Sequence, residues 1–456
     1  MAQETISEMI EKSRKAQEIF AAFTQEQVDK IVLAVCETVY KNREALSREA
    51  VEETALGTYE NKVFKHANVI LACANFLKGK RSVGLLEDDK ESGVMTFAKP
   101  MGVVGCVTPS TGPTATAVVN VAHALKGGNS IIVAPHPRAK KVSARCARLM
   151  REAIRSNGGP ENLVQCIAEP TLQSTDELMK GADVVVATGG GAMVKAAYSS
   201  GRPSFGVGPG NVQTLFTEDF TDYDTAAQAI VKDRAYDNGI LCTGEQALYL
   251  PKKTAPSILE AFQRAQGHIL TDRGVVDRLR GQIFPNGAFL PSAAGLSATR
   301  IAEKFGLPNV PADTKVLMAE CFKYGKEEPL CQEVLFPFIR FFIYESFEDA
   351  LHMAKNNLLM MGAGHTASIF SNDDAKIKRT GEELPVGRVM VNQATAASAG
   401  NTVNNGLEPT MSLGCGTWGN NSVSENLVYK HLINKTRVAY FLKDKKPLDP
   451  AEVFGS

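Results

Sequence analysis

A chain of 456 residues is too long for one ordinary hydrophobic core, so two large domains are expected. Its composition, 44% hydrophobic and 22% charged, is that of a globular protein, and 50 basic side chains against 50 acidic ones leave no net field for nucleic acid or an anionic membrane. Nine cysteines scattered singly, without CxxC pairs, argue against a disulfide framework or a zinc site and for a reducing compartment.

The N-terminus, MAQETISEMIEKSRKAQEIF, has early acidic residues and no continuous apolar run, so neither a secretory signal nor a membrane anchor is expected and the location is read as cytoplasmic. An amphipathic first helix can also address a protein to a protein shell; the plainer reading is a docked helix. Residues 3–82 repeat apolar positions three and four apart, as in EQVDKIVLAVCETVYKNREALSREAVEET, which predicts a helical N-terminal layer. From Val94 the pattern changes to strand VMTFAKPMGVVGCVTPSTGP, helix TATAVVNVAHAL and strand GGNSIIVAPHP. The rhythm continues through helix AKKVSARCARLMREAIRSNG, strand LVQCIAE, helix LQSTDELMKG, strand ADVVVATGG, helix GAMVKAAYSSG and strand PSFGVGPGN. Such alternation predicts right-handed βαβ units and a doubly wound parallel sheet, which binds nucleotides at the carboxyl ends of its strands.

After Tyr236 the alternation restarts through EQALYLPKK, SILEAFQRAQG, KVLMAEC, VLFPFIRFFIY, SFEDALHMAKNN, HTASIFS and GRVMVNQ, predicting a second α/β domain. The expected division is 1–235 for the helical layer and dinucleotide-binding domain, 236–425 for a catalytic domain, and 426–456 for a strand-bearing tail that packs on another element or subunit.

Two segments carry chemistry. In ADVVVATGGGAMVKAAY an apolar strand meets a helix through Gly189, Gly190 and Gly191, which suits a phosphate at a helix N-terminus or simply a tight turn. In DNGILCTGEQALYL, Cys242 precedes Thr243 and Gly244, where free backbone N–H groups stabilise a thiolate and an oxyanion. A buried packing cysteine is the alternative. The seven histidines show no metal-ligand spacing, so no metal is expected, and the lone Trp418 is read as packing.

The strings KAAYSSGRPSFGVGPGN, YDNGILCTGEQ, GAGHTASIFS and LGCGTWGNNSVSENLVYKHLINKT, in this order, resemble the CoA-acylating branch of the aldehyde dehydrogenase superfamily, over about residues 20 to 440. Within it the chain is most similar to acylating succinate-semialdehyde and sulfoacetaldehyde dehydrogenases. The resemblance implies two doubly wound α/β domains with a small β oligomerisation extension, and NAD or NADP with CoA as co-substrate. It also implies a homodimer or homotetramer. Cys242 becomes the nucleophile, Thr111 in PSTGP an oxyanion-hole residue, and His365 a candidate for proton transfer. Thr108, Pro109, His136, Arg138, Gly189, Gly190, Gly191, Gly208 and Glu333 fall in the cofactor-binding segments, and Gly112, Arg388, Asn392 and Ser398 in the substrate pocket, where an arginine suits a carboxylate or sulfonate tail. Gly112 departs from the Asn common in acylating relatives. Hydrolytic relatives carry a water-activating Glu where GVGPGN has Val207; without that base a CoA thiol is the better acyl acceptor. The readings weighed against this are acetaldehyde or propionaldehyde as substrate, an acyl-phosphate reductase of the same fold, and an inactive nucleotide-binding homologue.

Overall fold

A computed structural model describes residues 4–400 and 404–455. The chain begins with four helices: α1 (Ile6–Phe20), α2 (Gln25–Lys41), α3 (Arg43–Thr54) and α4 (Tyr59–Leu77). Thr5 and Thr24 start the first two with reciprocal capping bonds to Glu8 and Gln27. One stripe of α2, including Val28, Ile31, Val32, Val35 and Val39, is buried against the helices that follow.

Next come β1 (Gly84–Asp89), β2 (Val94–Pro100), β3 (Val103–Thr108), α5 (Pro113–Lys126), β4 (Ser130–Pro135), α6 (Lys140–Ser156), β5 (Val164–Cys166), α7 (Leu172–Gly181), β6 (Val184–Thr188), α8 (Gly191–Tyr198) and β7 (Ser204–Val207). Strands β3 to β7 form a five-stranded parallel sheet in the order β5-β4-β3-β6-β7. Both faces of β3 and β4 are buried, which is why VVGCVT and SIIVAP are almost continuously apolar. The order turns back between β3 and β6, and such a switch point opens a crevice at the strands' carboxyl ends.

A second parallel sheet has seven strands: β8 (Val212–Phe216), β9 (Glu245–Pro251), β10 (Gly267–Leu270), β11 (Val316–Glu320), β12 (Phe338–Tyr344), β13 (Gly364–Phe370) and β14 (Val386–Val391). Helix α9 (Tyr223–Ala235) lies between β8 and β9 in sequence and packs in the same apolar core as the helix Ala255–Arg264. A third, antiparallel sheet joins β1, β2 and β15 (Ile433–Ala439), so the expected strand-bearing tail pairs back on residues 94–100. No helix among the described residues is long and apolar enough to cross a membrane.

Two expectations need correction. The run VMTFAKPMGVVGCVT is two strands of different sheets, because the chain turns at Gly102 (φ 123°), where a side chain would run into the Asp183 carboxylate. The division at 235/236 is also displaced: VQTLF is bonded between β9 and β13, so the two parallel sheets part within residues 208–211.

Candidate active site

The carboxyl ends of β3, β4, β6 and β7 open into a cavity of about 410 Å³ that reaches Cys242. The end of β3 contributes Thr108 and Pro109, the turn into α5 Thr111 and Gly112, and the segment after β4 His136. β6 leads to Gly189 and Gly190, and β7 ends in Val207 followed by Gly208. Gly190 starts α8 with no side-chain cap, and a methyl group built on Gly190 or Gly191 would meet nothing within 4 Å. Packing therefore does not demand glycine there, and the open space before a helix N-terminus suits a pyrophosphate. The buried hydroxyls of Thr108 and Thr188, on the same wall, have no hydrogen-bond partner among the described residues, and a bound dinucleotide offers them one. Arg138 stands outside the wall on an exposed turn, its N–H donating to His136 Nδ1 at 3.1 Å.

Cys242 is delivered by an unusual turn. Asp237, Asn238 and Gly239 have φ of 53°, 55° and 72°, a left-handed run that Asp, Asn and Gly tolerate better than other residues. A side chain on Gly239 would lie 2.5 Å from the Phe336 backbone. On the other side the GVGPGN loop presses against the thiol's own residue: a Cβ on Gly210 would fall 1.7 Å from the Cys242 carbonyl oxygen. The Gly210 N–H donates to Glu333 Oε1 at 3.0 Å, so this loop couples Cys242 to Glu333.

The segment bearing Glu333 is held by two fully buried arginines. Arg340 donates to the carbonyls of Leu330 (2.9 Å) and Gln332 (3.0 Å), and Arg234 to those of Val334 (2.6 Å) and Phe336 (2.7 Å). Burial raises the Glu333 carboxyl to about 7, against the Gly210 N–H and the two arginines. Burial, reinforced by Glu333, pushes the Cys242 thiol up to about 12. The free protein thus holds a neutral thiol. Below its pKa the thiolate fraction grows tenfold per pH unit, so the rate of iodoacetamide labelling of Cys242, followed by mass spectrometry, is expected to climb about tenfold per unit from pH 7 to 9 without a plateau. A plateau near neutrality would show a thiolate already stabilised in the free protein.

Besides Arg138, and Gly191 on the neighbouring cleft, four more sequence-derived candidates lie outside the cavity wall. Arg388 is 5% exposed, and its guanidinium donates to the carbonyls of His365 (2.9 Å) and Gly414 (2.6 Å), which leaves it unsuited to a substrate tail. Asn392 exchanges hydrogen bonds with the Ser371 backbone at 2.8 and 2.9 Å, and the Ser398 hydroxyl donates to the Ala394 carbonyl. His365 is fully buried, with Nδ1 3.0 Å from Thr366 Oγ1 and Nε2 without a partner among the described residues, and burial with Arg388 nearby lowers its pKa to about 3. His365 lies on β13 and Arg388 on the adjoining edge strand β14, Asn392 follows β14 directly, and Ser398 ends the short helix Thr395–Ser398. Trp418 is half exposed rather than packed away, and lines a separate cleft with Tyr198 and Cys415. Among the described residues no group of three or more His, Cys, Asp and Glu is placed to hold a metal ion.

The structure adds residues that the sequence reading passed over. Lys62 and Lys65 on α4 are 2% and 5% exposed, and both reach Asp237 Oδ2, at 3.2 and 2.7 Å. Both also donate to the Thr111 carbonyl, at 3.2 and 3.4 Å. Lys65 lines the cavity. The signal was a pair of lysines three apart on the buried face of an otherwise apolar helix, next to His66.

A central dinucleotide-type sheet, a second parallel sheet and a cysteine at their junction define the class, and comparison with known proteins agrees. The profile described as the aldehyde dehydrogenase family matches residues 1–273. Over 451 residues the chain is 44% identical to a succinate-semialdehyde dehydrogenase (acetylating) of Clostridium kluyveri, covering 99% of both chains. It is 38% identical to a sulfoacetaldehyde dehydrogenase of an Acholeplasma species, covering 98% of this chain and 93% of the other. The crystal structure of an acetylating aldehyde dehydrogenase from Geobacillus thermoglucosidasius superposes with a TM-score of 0.92 at 35% identity, covering 97% of this chain and 98% of that one. The chain belongs to the aldehyde dehydrogenase family, in its CoA-acylating branch.

Proposed function

We propose that this protein converts a short anionic aldehyde, CoA and NAD or NADP into an acyl-CoA and the reduced nicotinamide, with Cys242 as the acyl carrier. One observation carries the reading: Val207, 3% exposed and packed on Ala399 and Leu413, lines the cavity that reaches Cys242, at the position where hydrolytic relatives have a water-activating carboxylate. Glu333 is the one carboxylate among the described lining residues, and it is engaged by Gly210. Water attacking a thioester needs a base, whereas a CoA thiol is a far stronger nucleophile.

The Cys242 sulfur, on losing its proton, adds to the aldehyde carbon; the resulting oxyanion lies toward Thr111 and the backbone N–H of Cys242. NAD(P), when bound along the ends of β3, β4 and β6, supplies the hydride acceptor. The Cys242 thioester then exchanges its sulfur for that of CoA, and the free thiol returns. Relatives named for succinate semialdehyde and sulfoacetaldehyde support a carboxylate or sulfonate on the substrate. The exposed face of β15, followed by Tyr440 and Phe441 at 60% and 86% exposure, supports a homo-oligomer closed through this tail.

The test is NAD(P)H formation by the purified protein, with and without CoA, on acetaldehyde, propionaldehyde, succinate semialdehyde and sulfoacetaldehyde. Strict CoA dependence is expected; turnover without CoA, yielding the free acid, would show that Val207 has been misread.

A further inference from the structure

We propose that Lys65, reached through the space that Gly112 leaves open, binds the anionic end of the aldehyde and sets the preference for charged over neutral substrates of equal length; this rests on the acylating reading above. Lys65 is the one Lys or Arg among the described residues lining the cavity. Its charge is not fully balanced: Lys62 and Lys65 share the single carboxylate of Asp237. Asp237 is kept ionised by the two lysines despite its burial, while burial and Lys65 pull Lys62 down to about 8. Burial lowers His66 to about 4 and raises the Tyr236 phenol, so neither of these neighbours carries a charge that offsets the lysines near pH 7. Two ammonium groups thus face one carboxylate, and Lys65 is the member that lines the cavity.

Geometry shows where the anion fits. A Cβ on Gly112 would lie 3.6 Å from Thr116 Oγ1, 3.9 Å from Lys65 Nζ and 3.9 Å from Met411 Cε. Glycine leaves this pocket open, and a longer side chain would stand in front of the ammonium. Gly112 is also the N-cap of α5 and Pro113 its first residue, with no side-chain cap, so the positive end of a wholly buried 14-residue helix faces the same space. Thr111, on the oxyanion side, and Gly112 are adjacent, which places the reacting carbonyl and the tail only a few bonds apart and selects a short substrate. Arg388, the other candidate for this task, has its donors taken by backbone carbonyls.

The experiment compares kcat/KM for succinate semialdehyde, sulfoacetaldehyde and uncharged butyraldehyde, with CoA present, in the unaltered protein and in Lys65→Met, Lys65→Arg and Gly112→Asn. A charge-assisted contact of this kind predicts that Lys65→Met lowers the anionic-to-neutral ratio roughly 10- to 100-fold, chiefly through KM, and that Lys65→Arg recovers part of it. Gly112→Asn is expected to lower the same ratio. A folded Lys65→Met that keeps the ratio overturns the proposal, as does an unaltered protein with CoA-dependent turnover but no preference for anions. If Lys65→Met does not fold, Gly112→Asn decides, and an unchanged ratio there overturns the proposal. Absence of CoA-dependent turnover with every aldehyde instead removes the acylating reading, and this assignment with it.

Discussion

Cys242→Ala is expected to lower CoA-dependent NAD(P)H formation by roughly 10⁴-fold or more while leaving the fold and nicotinamide binding intact. The size follows from the chemistry. A covalent route divides one difficult acyl transfer into two easier ones, and no other group on the cavity wall combines nucleophilicity with this position. The other cysteines are poor substitutes. Cys415, whose thiol is itself pushed up by burial, is 2% exposed with its Sγ donating to the Leu413 carbonyl at 3.4 Å. Cys415→Ala should therefore keep most of the activity. Intact-mass measurement after incubation with an acyl-CoA should show a single acyl adduct on the unaltered protein and none on Cys242→Ala. An alanine variant retaining more than about a hundredth of the activity, well above the loss expected for a missing nucleophile, would move the acyl carrier to another residue.

Much of the architecture was legible because parallel sheets write a strong pattern. Runs such as SIIVAP and VVVAT are buried on both faces, and the helices between them carry one apolar stripe, so their alternation needs no tertiary information. Which sheet a strand joins is a different matter. VQTLF follows GVGPGN directly in sequence, yet Gln213 within it pairs with Ala247 and Ala367, 34 and 154 residues away, by backbone bonds that composition does not encode.

The site divides the same way. Cys242 stood out in the sequence because its surroundings restrict residue choice: a Cβ on Gly210, in the GVGPGN string, would fall 1.7 Å from the Cys242 carbonyl oxygen. Arg388 misled because an arginine beside a suspected pocket looks the same whether its donors face a substrate or, as here, the carbonyls of His365 and Gly414. Lys65 was missed for the converse reason. A lysine in an amphipathic helix is ordinarily a solvated residue, and only the fold reveals that this one is buried on Asp237.

Arg234→Met is expected to destabilise the protein by about 3–5 kcal/mol and to raise KM for the nicotinamide cofactor together. Arg234, fully buried on α9, donates to the carbonyls of Phe338 (3.0 Å), Gly239 (3.2 Å), Val334 (2.6 Å) and Phe336 (2.7 Å). Two effects oppose each other. Burial and neighbouring Arg340 pull the guanidinium down to about 9, so an apolar residue of similar length removes a costly charge. Against this, the four acceptors are backbone groups that stay buried, each losing a partner at about 1 kcal/mol or more, and methionine supplies no donor. The second effect prevails because the acceptors cannot move to water without dismantling the segment that carries Glu333 and the left-handed turn that carries Cys242. A thermal melt and a cofactor titration on one preparation separate the outcomes. A lower midpoint with unchanged KM would make Arg234 a support of the fold alone, whereas both changing would establish that the same four hydrogen bonds hold the core and align the carboxylate with the thiol.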